Sequence, residues 1–557
     1  MTTFPAVLRH GRAWLPLLGA AGLVGNLTVL ALPKVLGEAV DAVVAQHHPG
    51  ASVFHPGGWV LIACALIVLG IVCDVVEVIA GTACVAGTTA WLRHGLVRRV
   101  LAAGPSGVRQ FDTGDLVSRV SSNAVDAARA GPATLTAATA AVPPIGSLVL
   151  LVLISPWLAV AFLGSVLLVV AVLWLFARRT AEISLAYQET QGRIAATLTE
   201  ALAGLRTIAA AGTAEREEQR VLRLLPELHA RGLRTWQVLA RSGAQAAVVG
   251  PLVLIAVLAV GGIQLVDHRI TPGEYFAAAQ YAVIGAGLGS LTSVLGQLAR
   301  ARAGVTRVAE VTAAQPVAYG ALSLPDGPGR LVFDEVTVRA GDDLLLDRIN
   351  LDLPGGAAVA VVGPSGAGKS VLAAVAGRLQ DPDTGQVRLD GVPLGALSHA
   401  ALRTAVNCAF ERPALVGSTV GEAICVGSVE PGQLLASARA THVHEFVSRM
   451  PDGYRTPLAE APLSGGEAQR LGLARAWSAE RLLILDDATS SLDTATELQI
   501  SETLMGDRHR RTRLIITHRA ATAARADLVI WLDHGRLRAV APHDALWHNP
   551  HYRKAFG

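Results

Sequence analysis

Six apolar stretches, near 13–36, 58–82, 133–154, 157–177, 246–266 and 275–298, crowd into the first 300 of 557 residues. Each is close to the roughly 20 residues that an α-helix needs to cross the hydrocarbon core of a bilayer. Such segments satisfy their backbone hydrogen bonds internally and turn apolar side chains outward on all sides, which suits lipid rather than water. Composition agrees, with 52% hydrophobic and only 16% charged residues, far from the balance of a soluble domain. The third and fourth stretches are separated only by Ser155 and Pro156, which predicts a tight hairpin. Arg9 and Arg12 ahead of an apolar run are similar in outline to a signal peptide. No small-residue cleavage site follows and five more stretches do, so the run is read as a retained first helix. A net charge of +3 is too small to imply a nucleic-acid partner.

Loop charge sets the orientation. Segment 37–57 and the 155–156 turn carry no Lys or Arg, and 267–274 has only Arg269, whereas 83–132 and 178–245 are rich in arginine. Basic loops stay on the cytoplasmic side, so these long loops, both termini and everything after about residue 299 are expected inside. The five cysteines, Cys64, Cys73, Cys84, Cys408 and Cys425, form no CxxC pair and no zinc-like spacing with histidine, so neither a disulfide framework nor a metal site is expected.

From about residue 330 the pattern changes. Apolar runs at 331–333, 357–362 and 482–485 read as buried strands alternating with helical stretches and Gly-rich turns, which implies an α/β domain. The second run leads into Gly363, Pro364, Ser365, Gly366, Ala367, Gly368, Lys369 and Ser370, the Gly-x4-Gly-Lys-Ser pattern of a phosphate-binding loop. Its glycines let backbone N–H groups close around phosphates, its lysine reaches the terminal phosphates and its serine hydroxyl suits Mg²⁺. The chain has only three lysines, Lys34, Lys369 and Lys554, so one standing at this position is a further argument against coincidence.

About a hundred residues on, Leu463, Ser464, Gly465 and Gly466 open the run Leu-Ser-Gly-Gly-Glu-Ala-Gln-Arg. This resembles the signature of ATP-binding cassette (ABC) proteins, which closes over an ATP held by the P-loop of a partner cassette. The stretches 111–119 and 200–208, with Glu215 and Arg216, resemble the cytoplasmic loops of exporter-type (type IV) members, whose short coupling helices dock on the ATPase domains. The resemblance implies a multi-domain chain: a six-helix all-α transmembrane domain at 1–305, a linker at 306–330, and an α/β P-loop ATPase domain at 331–557. It also implies ATP and Mg²⁺ as cofactors and a second ABC half-transporter as partner. The chain would sit in the lipid bilayer, in a bacterial plasma membrane. No peptidase domain is seen ahead of the first apolar stretch, so no leader-peptide processing is expected.

Within that family pattern, the strand at 482–485 leads into Asp486 and Asp487. Asp486 would hold Mg²⁺ together with Ser370 and Glu411, Asp487 would act as the general base, and His518 would be the switch histidine that contacts the γ-phosphate. Asp493 closes the motif that communicates across the dimer. Three positions depart from the pattern. Ala340 stands where an adenine-stacking aromatic is usual, Glu411 replaces a Gln, and Asp487 replaces a Glu one methylene longer; the approach to the signature at 457–462 is also shorter than usual. The first three lie in the site built on this chain's own P-loop, while 463–466, offered to the partner, is intact. That asymmetry implies a heterodimer in which this chain carries the weaker site; a slow homodimer is the alternative. Asp74 and Glu77, three residues apart and so on one helix face, are candidates for a substrate pathway favouring cationic or amphipathic cargo, with Gln280 and Gln297 as further candidates. Structural pairing of the two carboxylates near the cytoplasmic end is the other reading. Export is the expected direction; import on the same fold, or an ATP-binding regulatory subunit, remain alternatives.

Overall fold

The computed structural model describes residues 4–45, 56–286, 289–425, 431–506 and 511–556. Two compact units emerge, one of Met1–Arg98 with Asp112–Ala313 and the other of Arg99–Phe111 with Ala314–Gly557. The first is helical and the second holds all ten strands among the described residues.

Four helices are long: Leu15–Ala45, Pro156–Ala203 and Leu225–Val266 in the first unit, and Pro56–Val108, which belongs to it up to Arg98. Shorter ones, Ala130–Thr139 with Val142–Ile154 and Pro272–Gly285 with Gly289–Ala313, lie at the other two apolar stretches. Among the described residues, Leu15–Val44, Gly57–Val108 and Thr113–Ile154 are each long and apolar enough to span a bilayer, and the apolar helices Pro156–Leu167 and Pro251–Val266 are shorter. Pro56–Val108 has 53 residues, about 80 Å at 1.5 Å per residue against a hydrocarbon core of about 30 Å. It therefore continues well past a membrane, as the arginine-rich loops require. It breaks at Gly104, whose φ of 66° only glycine adopts freely, just before Pro105. Only 6% of its most apolar window is buried, so that surface is left for lipid or for another subunit.

The hairpin at Ser155 and Pro156 forms as expected, with Pro156 in the first turn of its helix, where a missing N–H costs nothing. Leu151, Leu158, Phe162, Val253 and Tyr281 pack its two arms against neighbouring helices. The helix Pro272–Gly285 starts in a capping box between Thr271 and Glu274. Asp41 on Leu15–Ala45 accepts from Thr271 Oγ1 at 2.6 Å and from the Gly273 N–H at 2.7 Å, which pins that helix start. In the stretch that resembles the first cytoplasmic loop, Arg119 is buried. It pairs with Asp115 at 2.7 Å and with Glu310 at 2.6 Å on Gly289–Ala313. That last helix runs to Ala313, past the 306 at which the linker was expected to begin.

In the second unit the strands are β1 Leu331–Ala340, β2 Asp343–Leu353, β3 Ala358–Val362, β4 Thr384–Leu389, β5 Val392–Pro393, β6 Val406–Phe410, β7 Leu482–Asp486, β8 Thr512–Ile516, β9 Leu528–Asp533 and β10 Arg536–Ala541. They form an antiparallel sheet ordered β2-β1-β4-β5 and a six-stranded sheet ordered β10-β9-β3-β8-β7-β6. Strands β6, β7, β8, β3 and β9 are mutually parallel and β10 closes the edge antiparallel. A parallel sheet is covered on both faces, which is why β3 reads as an unbroken apolar run and why both β3 and β8 are buried throughout. The helix Lys369–Ala376 buries Leu372 and Val375 in the core shared by both sheets.

A close helix contact makes the packing of the first unit testable. A Cβ on Gly37 would stand 2.5 Å from the Gly273 carbonyl oxygen, whereas at Gly95 nothing lies within 4 Å. Gly37→Ala should lower stability by about 1–3 kcal/mol through overpacking, seen as a drop in Tm of the solubilised protein. Gly95→Ala should leave Tm unchanged or slightly raised.

Candidate functional site

Lys369, Ser370, Glu411, Asp486, Asp487 and His518 sit at or just beyond the carboxyl ends of the parallel strands, where such sheets bind ligands. Between β3 and the helix Lys369–Ala376, residues 363–368 form the loop. Gly368 caps the helix at φ 95°, and a Cβ there would meet the Leu345 carbonyl oxygen at 2.7 Å. The first N–H groups of the helix therefore face outward without a side-chain cap, an arrangement suited to phosphate. Lys369 Nζ donates to the carbonyls of Gly363 at 2.8 Å and Pro364 at 3.0 Å. Burial draws its pKa below the ordinary lysine range, while the charges of Asp487 and Asp486 pull it back up.

Strand β7 delivers the carboxylates. Asp486 accepts from Ser370 Oγ at 3.0 Å. Its carboxyl is pushed above the usual range, chiefly by burial; Ser370 and Lys369 work the other way, and the charges of Asp487 and Glu411 add to the rise. Glu411 follows β6, whose Phe410 is in register with Asp486. Asp487 turns into the left-handed region at φ 48°. Its N–H reaches the Ile516 carbonyl at 3.3 Å and its carboxylate meets His518 Nδ1 at 3.2 Å. Lys369, Ser370, Asp486, Asp487, Glu411 and His518 thus form one cluster. Among the described residues no three His, Cys, Asp or Glu side chains are grouped to hold a metal ion. The oxygens of Ser370, Asp486 and Glu411 are nevertheless the hard donors that Mg²⁺ takes when phosphates complete its shell.

The signature forms a second cluster. Ser464 caps the helix Gly465–Ala476 in a capping box with Glu467, leaving Gly465 with open space beside it. Burial raises the Glu467 pKa, but hydrogen bonds from the Ser464 N–H and hydroxyl outweigh it and hold it below the usual range. A Cβ on Gly466 would stand 3.2 Å from the Ser491 carbonyl oxygen, so the signature lies beside 490–493. Asp493 is engaged in capping the helix Thr494–Met505, accepting from the Thr496 N–H at 2.9 Å. Ala340 ends β1, paired with Asp343 across the hairpin.

Two residues that sequence reasoning passed over join these parts. Gln469 is 1% exposed, and its carboxamide donates to the Glu411 carbonyl at 2.9 Å and to Ser490 Oγ at 3.0 Å. Arg519 donates to the Ser490 carbonyl at 3.1 Å and pairs with buried Glu497. The available signal for Gln469 was a polar residue four positions before core Leu473, on the buried face of the helix.

In the helical unit, Asp74 and Glu77 line a cavity of about 920 Å³ together with Arg93, Arg129, Thr82, Thr89 and Thr136. Gln280 and Gln297 do not line it and are exposed on Pro272–Gly285 and Gly289–Ala313.

Comparison with known proteins fits this anatomy. Residues 15–286 match the family described as the ABC transporter transmembrane region, and residues 346–490 match the family described as ABC transporter. The chain is 42% identical over 551 residues to the ABC transporter ATP-binding protein RamA of Streptomyces coelicolor, covering 98% of this chain and 86% of that protein. It is 39% identical over 210 residues to the mycobactin import ATP-binding/permease protein IrtB of Mycolicibacterium thermoresistibile, covering 37% and 36%. Its fold is similar to that of a bacterial Atm1-family ABC exporter solved with ATP bound, with a TM-score of 0.77, 24% identity, and 99% and 98% of the two chains covered.

The loop geometry gives a direct test. Gly368→Ala should abolish nucleotide binding and lower stability, since both its φ and the Leu345 carbonyl oppose a side chain. Gly366→Ala, at φ 81° but with open space around it, should cost only the backbone strain of about 1–2 kcal/mol. Fluorescent-nucleotide titration beside thermal unfolding separates the two.

Proposed function

The chain belongs to the ABC transporter family, a transmembrane region and an ATPase domain in one polypeptide that couples ATP hydrolysis to transport as half of a dimer, and on that premise we propose that it is the weak-site subunit of a heterodimeric exporter.

The observation that carries this reading is the geometry of Asp487. A general base must come within roughly 2.6–3.2 Å of the proton it takes. Asp487 reaches one methylene less far than Glu, from a left-handed backbone, and its carboxylate is turned to His518. In this reading the loop N–H groups and Lys369 hold the phosphates, and His518 contacts the terminal one. Ser370, Asp486 and Glu411 would hold Mg²⁺, which supplies charge neutralisation to the β- and γ-phosphates. Glu411 brings a third carboxylate close to the triphosphate, which weakens that balance. Ala340 offers adenine a methyl group in place of a ring, forfeiting about 1–3 kcal/mol if stacking here resembles that of bases on aromatic side chains. The signature, by contrast, has an ordered cap and an open face at Gly465, which supports competence toward a partner's ATP. The partner would then supply the Gln, Glu and aromatic that this chain lacks.

ATP bound between the two cassettes favours one of two arrangements of the dimer, and hydrolysis returns it to the other, so nucleotide drives transport through its differential affinity for the two. For the cargo route, the cavity at Asp74 and Glu77 supports a path for cationic or amphipathic molecules, since membrane-embedded carboxylates are costly unless they serve a cavity or a partner charge. Gln280 and Gln297 would lie outside this part of it. The similarity to a mycobactin import protein keeps import open as the second reading.

Asp487→Glu in the purified chain should raise ATP turnover by about tenfold or more, and Asp487→Asn should remove what turnover exists while nucleotide still binds. Vigorous turnover in the unaltered chain that Asp487→Glu leaves unchanged contradicts the weak-site reading. In inside-out vesicles carrying the chain with its partner, ATP-driven uptake of a lipophilic dye cation should fall several-fold in the Asp74→Asn, Glu77→Gln double variant. Uptake only in right-side-out vesicles would mean import, and unaltered uptake in the variant would move the cargo route elsewhere.

A further inference from the structure

Gln469 stands where the two clusters of the ATPase unit meet, and one carboxamide serves both. Its Nε2 donates to the Glu411 carbonyl at 2.9 Å and to Ser490 Oγ at 3.0 Å, with the Asp487 carbonyl a longer third acceptor at 3.4 Å. Its Oε1 accepts from the Ser491 N–H at 3.0 Å. A carboxamide has two N–H groups and an oxygen with two lone pairs, so both N–H groups and one lone pair of this side chain are engaged. At 1% exposure water cannot stand in for any of them.

The four partners belong to different parts of the reaction. Glu411 and Asp487 carry two of the carboxylates at this chain's own nucleotide site. Ser490 and Ser491 begin the segment that runs beside Gly466, and Gln469 itself is the fifth residue of the helix whose first turn is the signature. The contacts to Glu411 and Asp487 are to backbone carbonyls, so they register where the main chain of those residues lies, whichever way the side chains turn. A shift of either backbone must break a buried hydrogen bond or carry the signature helix with it.

Resting on the weak-site reading above, we propose that Gln469 is a positioning residue that couples occupancy of this chain's own nucleotide site to the placement of the signature it presents to the partner. The consequence for the pair is specific. A subunit whose own site hydrolyses slowly still reports through Gln469 whether ATP is bound, and so regulates the partner's site without turning over.

Two variants of the full-length chain test this. Gln469→Glu keeps the shape and can accept from the Ser491 N–H and the Ser490 hydroxyl, but as a carboxylate it has no proton for the Glu411 and Asp487 carbonyls. Gln469→Met keeps the volume and donates nothing. Hydrogen exchange is followed by mass spectrometry with and without ATP, for peptides covering 363–376 and 464–476. In the unaltered chain ATP should slow exchange in both. In both variants the 363–376 response should persist, while the 464–476 response becomes at least roughly threefold smaller. Equal 464–476 responses in all three proteins, even with a lower Tm in the variants, would reduce Gln469 to packing and overturn the proposal, as would no 464–476 response in the unaltered chain. Absence of any response at 363–376 in the unaltered chain, with a Lys369→Ala control behaving identically, would instead overturn the nucleotide-site reading on which the proposal rests.

Discussion

Three carboxylates, Asp486, Asp487 and Glu411, share the carboxyl ends of β6 and β7 with one ammonium, Lys369. Like charges 4 Å apart repel by about 4 kcal/mol at the effective dielectric of a protein surface, and a triphosphate adds several more negative charges. The ATPase unit answers with directed dipoles. The loop after β3 and the first turn of Lys369–Ala376 point N–H groups outward, and Ser370 takes part of the load of Asp486 through its hydroxyl. Burial is the chief cause of the raised Asp486 pKa, and the charges of Asp487 and Glu411 add to it against the opposing pull of Ser370 and Lys369. A divalent cation arriving with the nucleotide would complete the balance, and the extra carboxylate at Glu411 would make that harder to reach.

The same constraint explains why the signature can stay well formed while the site on this chain's own P-loop departs from the family pattern. Ser464 and Glu467 satisfy the start of the signature helix locally, independent of the charges around Lys369. In the weak-site reading, Ala340, Glu411 and Asp487 would weaken one composite site and spare the other, the division of labour proposed for a two-subunit ATPase. The membrane unit carries a parallel demand for company, since the most apolar window of Pro56–Val108 leaves nearly all its surface uncovered.

The phosphate loop, the carboxylates after β7 and the histidine after β8 were legible because each follows a short apolar run that can only be a buried strand. Register then brings Phe410, Asp486 and Ile516 side by side. The Ser155–Pro156 hairpin was legible for the same reason: two apolar runs with no room for a longer loop. What could not be read was anything set by long-range side-chain geometry. Arg119 meets Glu310 across 191 positions of sequence, and Gln469 looks like an ordinary polar helix residue until its four partners are placed around it. Asp487 gives no clear sequence sign of its left-handed backbone. Likewise the helix Gly289–Ala313 continues beyond the expected linker boundary because Val305, Val308 and Val311 are buried along it, a periodic stripe that the nearby prolines obscured.

The central claim, that this chain binds ATP in a site that hydrolyses it poorly unaided, is tested most directly by steady-state ATPase activity of the chain purified alone in lipid. A Lys369→Ala control and a parallel nucleotide-binding titration belong to the same measurement. The account predicts binding that depends on Lys369 with turnover near background. Robust turnover that depends on Lys369 would contradict it and make the chain a self-sufficient homodimer.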